Sequence, residues 1–168
     1  MTRAEIITYK DTNIQLVADK SELHFFDSQS IQMSKQTTAL QAWEIAMSKP
    51  MPIMKLAFRV RDAIAARFGV KKIGGFTGGW PQQIIVGDKL DFFLVEYISD
   101  DVLTLTERDK HLDVMTCISI GENQLTITSS VKTHNFFGRL YMIPVAPAHK
   151  LIVRSTMRRI KCELANRV

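Results

Sequence analysis

His111 and Asp113 stand two residues apart, the spacing at which a base and its orienting carboxylate share one face of a strand. Leu112, Val114 and Ile118 occupy the opposite face, so the pair is expected toward solvent, as is His134 on the polar side of the next strand. The stretch GGFTGGW (Gly74–Trp80) has the glycine density of a phosphate cradle. A phosphate loop needs a Lys-Ser/Thr pair at the start of a helix, however, and here Trp80-Pro81 follows. The expected role is a flexible connection that gates a cavity mouth, with Phe76 and Trp80 as its apolar tips. Cys117 and Cys162 form no CxxC pair, and no activating neighbour accompanies Cys117, so both are expected as reduced, unreactive thiols. None of the 4 histidines stands at metal-ligand spacing, so no metal or other cofactor is expected. No complete catalytic motif is present.

Arg139, Tyr141 and His149 differ from these groups. They fall where the strand pattern gives way to a helical one, beside Pro144 and Pro147, which fix backbone direction. Two readings stand side by side. Arg139 can anchor a carboxylate such as Asp27, with Tyr141 half-buried and its hydroxyl satisfied. Alternatively, Tyr141 and His149 are polar groups at one end of an apolar pocket, where they orient a ligand.

The elements that would hold these residues follow from periodicity. Ile31 and Met33 alternate with polar neighbours in a first strand around Ser28–Met33. Thr38-Ala-Leu-Gln41 has the form of a capping box, and Leu40, Trp43 and Met47 recur behind it at helical spacing. A second helix is expected from Pro52 to Phe68, on a stripe of Ile53, Leu56, Val60 and Ile64, with Gly69 as its stop. From Gln83 the period becomes two. A strand over Phe92–Ile98 is apolar on both faces, Ser99-Asp-Asp101 and Gly121-Glu-Asn123 are turns, and strands between them complete an antiparallel meander. Its oily face needs a cover. A helix over Lys150–Leu164 supplies one, with Val153, Met157, Ile160 and Leu164 on one stripe and Lys150, Arg154, Arg158 and Lys161 on a neighbouring sector. Pro144 and Pro147 are expected to kink that helix or to set off a separate first turn.

Length and composition bound the class. A chain of 168 residues, 46% hydrophobic and 23% charged, suits a single globular domain able to bury its own core. Residues 1–20 are expected as a loosely ordered lead-in and 21–168 as the domain. The first residues carry no apolar run of signal length, and no segment approaches a membrane span, so a cytoplasmic protein without a transmembrane segment is expected. The net charge of +5 is a weak pointer to anionic partners. The basic sector of the last helix has no interleaved aromatic residues to stack bases, so no specific nucleic-acid binding is expected.

This order is that of a helix-grip fold: an α+β domain with a curved antiparallel β-sheet, two short helices after the first strand, and a long C-terminal helix packed on the sheet. VGDKLDFFLVE (Val86–Glu96) and FFGRLYMIPVAPAHKLIVRSTMRR (Phe136–Arg159), together with Phe26-Asp27-Ser28, resemble the uncharacterised bacterial family known as domain of unknown function 2867. The resemblance spans roughly residues 20–162, and Gly138-Arg-Leu-Tyr141, Pro147 and His149 carry its most specific part. It implies similarity to START and polyketide-cyclase-like (SRPBCC) proteins, which bind apolar small molecules. The resemblance also extends to members fused to short-chain-dehydrogenase-like nucleotide-binding domains; no such domain is expected here, so an oxidoreductase role is not expected to carry over. Ala148 departs from the aromatic residue usual between Pro and His.

The functional expectation is a domain that encloses a small, largely apolar ligand between the sheet and the last helix. Trp43, Phe76, Trp80, Arg139, Tyr141 and His149 are its candidate binding residues, and no catalytic residue is assigned. The alternatives are a cyclase- or hydratase-like enzyme using Tyr141 or His149 as acid or base, and a peripheral module using the basic face of the last helix.

Overall fold

A computed structural model of the chain describes residues 7–8, 13–48, 59 and 83–166. The main element is a six-stranded antiparallel, curved sheet. Its strands are β3 (Phe25–Gln32), β4 (Lys89–Leu90), β5 (Phe93–Ile98), β6 (Val102–Arg108), β7 (Leu112–Gly121) and β8 (Gln124–Thr133), in the spatial order β3-β8-β7-β6-β5-β4. Two short strands near the N-terminus, β1 (Ile7–Thr8) and β2 (Gln15–Leu16), form a separate pair. A short helix, α1 (Ala39–Met47), follows β3, and a 31-residue helix, α2 (Phe136–Asn166), ends the chain. Among the described residues no helix is long and apolar enough to cross a membrane.

Local chemistry explains where these elements begin and turn. Thr38 caps α1 as expected: its hydroxyl accepts from the Gln41 amide, and the Gln41 side chain accepts from the Thr38 amide. The Ala39 amide donates to the Asp100 carbonyl at 2.8 Å, which ties this helix start to the β5–β6 turn. Between β7 and β8, Glu122 and Asn123 both have positive φ, of 45° and 64°. Two such residues in a two-residue hairpin make a type I′ turn, whose twist matches the flanking strands.

Four expectations are corrected. The first strand is β3 over Phe25–Gln32, three residues earlier than the alternation of Ile31 and Met33 indicated, because pairing with β8 extends through Phe25 and Val131. The last helix begins at Phe136, not Lys150, and both Pro144 and Pro147 lie inside it. Neither proline has an N–H for the carbonyl four residues back, so the bonds to Leu140 and Ile143 are lost, but the chain keeps one helix. Strict alternation through β5 fails at a bulge, where Val95 pairs with Leu105 but Tyr97 with Thr104, which turns Tyr97 to the opposite face. His111 and Asp113 are not a pair: His111 precedes β7 and reaches Asn135, whereas Asp113 lies 3.1 Å from His134 and 3.8 Å from Arg108. Among the described residues one short helix follows the first strand; the second expected helix, over residues 52–68, lies outside them but for Arg59.

The two faces of the sheet have different covers. Residues 15–18 lie on the outer face, where the Val17 amide donates to Ser130 Oγ and Val17 and Ala18 pack with Met115. Helices α1 and α2 cover the inner face. Trp43, Ile45, Leu103, Leu105, Ile118, Leu125, Ile127, Val153, Met157, Ile160 and Leu164 form the larger buried cluster there. Arg159 Nη1 donates to the Ala46 carbonyl at 3.1 Å, so α2 also satisfies the C-terminal end of α1. A second cluster of Phe25, Leu112, Val131 and Met142, with Tyr141 and Val145 against it, sits under the first turns of α2.

Candidate functional site

The inner face carries a polar interruption between those two apolar clusters. Asp27, Ser129 and Thr116 are direct cross-strand neighbours on β3, β8 and β7. Alternation places them on the same side as Phe25, Val131 and Ile127, the side that faces α2. Ser129 and Thr116 are buried. Burying a hydroxyl without a partner is costly, so a row of polar groups in a core demands a matching donor or acceptor from the covering element.

His149 is that partner for Ser129. It lies on α2 between Val145, which belongs to one cluster, and Val153, which belongs to the other. Its Nε2 is 2.8 Å from Ser129 Oγ, and the edge of its ring meets the Phe25 ring with centroids 5.7 Å apart. Burial lowers the imidazole pKa from its ordinary value, while the charge of Asp27 works in the opposite direction. Desolvation is the larger influence, so the ring is neutral at pH 7 and keeps one nitrogen able to accept a proton or hydrogen bond. Asp27 in turn accepts from Gln29 Nε2 at 2.7 Å, and Gln29 also donates to the Lys150 carbonyl. A carboxylate, a carboxamide, a hydroxyl and a neutral imidazole thus meet along one line between helix and sheet.

The other candidate residues are distributed around this line. Trp43 is buried on α1 in the larger cluster and meets Phe93 edge-on at 5.9 Å. Tyr141 is half-buried against the smaller cluster, two helical turns before His149 and so about 12 Å away along the axis. Arg139 is exposed on α2, while Asp27 has Gln29 as its partner. Phe76 and Trp80 lie outside the described residues. Ser129, Thr116, Asp27 and Gln29 were not among the residues picked out from sequence as ligand contacts. Their signal is present in the alternation: Leu125, Ile127, Ser129 and Val131 share a face, and so do Leu112, Val114, Thr116 and Ile118, each with one polar residue in an apolar file.

Cys117 and Asp113 both take structural roles on the outer face. Cys117 is buried on the outer face, with its sulfur 3.3 Å from the Gln15 amide, and burial pushes its pKa up despite hydrogen bonds from Gln15 and Thr104. Asp113 joins an outer-face network in which Arg108 bridges it to the buried Glu96, which also accepts from Thr106. Among the described residues no group of three or more His, Cys, Asp or Glu side chains is placed to hold a metal.

The fold and this site define an α+β domain in which a long C-terminal helix and a short one cover one face of an antiparallel sheet over a polar row. Residues 20–156 match the family described as protein of unknown function (DUF2867), and the chain belongs to that family. No curated protein matches it.

Proposed function

We propose that this is a helix-grip domain that binds a small, largely apolar molecule carrying one polar group, held between the sheet and α2. The observation that carries the reading is the imidazole of His149, 2.8 Å from Ser129 in a polar row flanked on both sides by apolar clusters. Such an arrangement suits a ligand whose hydrocarbon part is held by area burial, at roughly 25 cal/mol per Å² before association costs. A carbonyl or hydroxyl on that ligand would exchange hydrogen bonds with His149 and Ser129. Trp43 and Tyr141 belong to the apolar walls in this reading. Arg139 contributes least, because it is exposed.

A second reading is supported by the same depressed pKa. An imidazole kept neutral by burial is a competent general base, so His149 could withdraw a proton next to a ligand carbonyl in a cyclase- or hydratase-like reaction. Tyr141 is less suited to share that step, standing two turns away.

The test is native mass spectrometry of freshly purified protein, followed by titration with a fluorescent fatty-acid-sized probe. Saturable binding at one site, with a raised melting temperature, is the expected result. His149→Phe should weaken a probe with a polar end and leave a hydrocarbon probe unchanged. Absence of saturable binding to either probe would overturn the reading. Turnover of a bound carbonyl compound that His149→Phe abolishes would favour the enzyme.

A further inference from the structure

The outward side of α2 changes character along its length. Phe136, Leu140, Ile143 and Leu151 are 79%, 50%, 69% and 55% exposed, and Pro144 and Pro147 between them are also exposed. Steps of three and four residues put all six on one stripe. The sheet side of the same helix is separately filled by Met142, Val153, Met157 and Ile160, so the stripe is not the core-facing side. Beyond Leu151 the same line continues as Arg154, Arg158 and Lys161, all exposed. In the whole helix Glu163 is the single acid, against six Lys and Arg side chains.

We propose that this face of α2 docks on an anionic lipid bilayer surface. Phe136, Leu140, Ile143 and Leu151 would enter the boundary between headgroups and acyl chains, and Arg154, Arg158 and Lys161 would lie on the lipid phosphates. The prolines set the depth. The carbonyls of Leu140 and Ile143 lack the N–H of the residue four positions on, and such groups are tolerated among headgroups and water but not in hydrocarbon.

Charge selects this occupant over others. The apolar stripe is symmetric about the point between Ile143 and Pro144, so an antiparallel second copy would match Phe136 with Leu151 and Leu140 with Pro147. That pairing also sets Arg139 within two residues of Lys150 of the second copy, and the helix itself carries no acid on that flank to separate them. A nucleic acid offers phosphates but no apolar phase for Phe136 and Ile143. An anionic bilayer offers both, in the plane of one helix face. The inference is independent of the ligand reading, since the stripe lies on the side of α2 away from His149.

The experiment is co-sedimentation of the full chain with vesicles of phosphatidylcholine alone and of phosphatidylcholine mixed with phosphatidylglycerol, at physiological ionic strength. Binding is expected on the mixed vesicles and not on phosphatidylcholine alone. Ile143→Asp should weaken it about tenfold or more. The double variant Arg154→Glu, Arg158→Glu should do the same, with melting temperatures unchanged because all three positions are exposed. No binding to phosphatidylglycerol vesicles, or binding indifferent to Ile143→Asp, overturns the proposal. So does a concentration-dependent dimer in lipid-free solution that Ile143→Asp dissolves, which would assign the stripe to a second copy.

Discussion

The Nε2 of His149 and the Oγ of Ser129 lie 2.8 Å apart, one on the covering helix and the other on an interior strand of the sheet. This contact joins the two layers at the level where both apolar clusters stop. It also makes the protonation state of His149 a property of the fold, since a proton on the ring would place a charge in a desolvated row.

Stability should therefore depend on pH through His149. Its folded pKa is depressed below the ordinary 6.5. As pH falls through that value the unfolded chain takes up a proton that the folded chain refuses, so acidification favours unfolding. Stability is expected to be full above about pH 7 and to decline as pH falls through the ordinary 6.5 toward the depressed folded value. In denaturant melts across this range, His149→Gln should flatten the decline relative to the parent chain; an unchanged slope would mean that the ring titrates normally.

Helix α2 is docked through Met157 and not through Arg158. Met157 is 2% exposed, and Arg158 points to solvent. Met157→Asp should cost about 3 kcal/mol or more by burying an unpaired carboxylate, whereas Arg158→Asp should cost under about 0.5 kcal/mol. Equal and small losses in urea melts would show that α2 is not docked on this face.

Gly138 has a packing reason to be glycine. A Cβ there would collide with the His111 carbonyl oxygen and come within 3.1 Å of Thr133 Cβ. Its amide meanwhile donates to Asn135 Oδ1 at 3.0 Å, the N-cap bond of α2. Gly138→Ala should destabilise by about 1–3 kcal/mol, although alanine is the better helix former by about 1 kcal/mol. A stabilised variant would mean that the loop before β7 yields freely.

The two thiols should separate kinetically. Cys162 is exposed and Cys117 buried with a raised pKa. A thiol reagent at pH 7 should modify Cys162 in the native protein and Cys117 only on unfolding. Fast modification of both would show that residues 13–18 do not cover Cys117.

Much of the architecture was legible because it is written in local patterns. The capping box at Thr38 and Gln41 and the buried stripe of Val153, Met157, Ile160 and Leu164 follow from spacing alone. The start of α2 was not legible, because prolines at 144 and 147 normally argue against a continuing helix, and here the packing of Met142 on Phe25 and Leu112 outweighs that penalty. The site was half legible. His149 stood out by its place next to Pro147, but its partner Ser129 lies 20 residues earlier, and only the register of β3, β8 and β7 aligns Asp27, Ser129 and Thr116 into one row. The pairing of Asp113 with His134 instead of His111 has the same origin, since cross-strand neighbours are set by register and not by proximity in sequence.

In the proposed function a ligand meets His149 between the helix and the sheet. The most direct test of that contact is the imidazole ¹H–¹⁵N spectrum of the selectively labelled protein during titration with a fatty-acid-sized carbonyl probe. The His149 nitrogen resonances are expected to shift and saturate at one probe per chain, while those of the outer-face His134 stay fixed. Saturable probe binding that leaves the His149 resonances unmoved would contradict that contact.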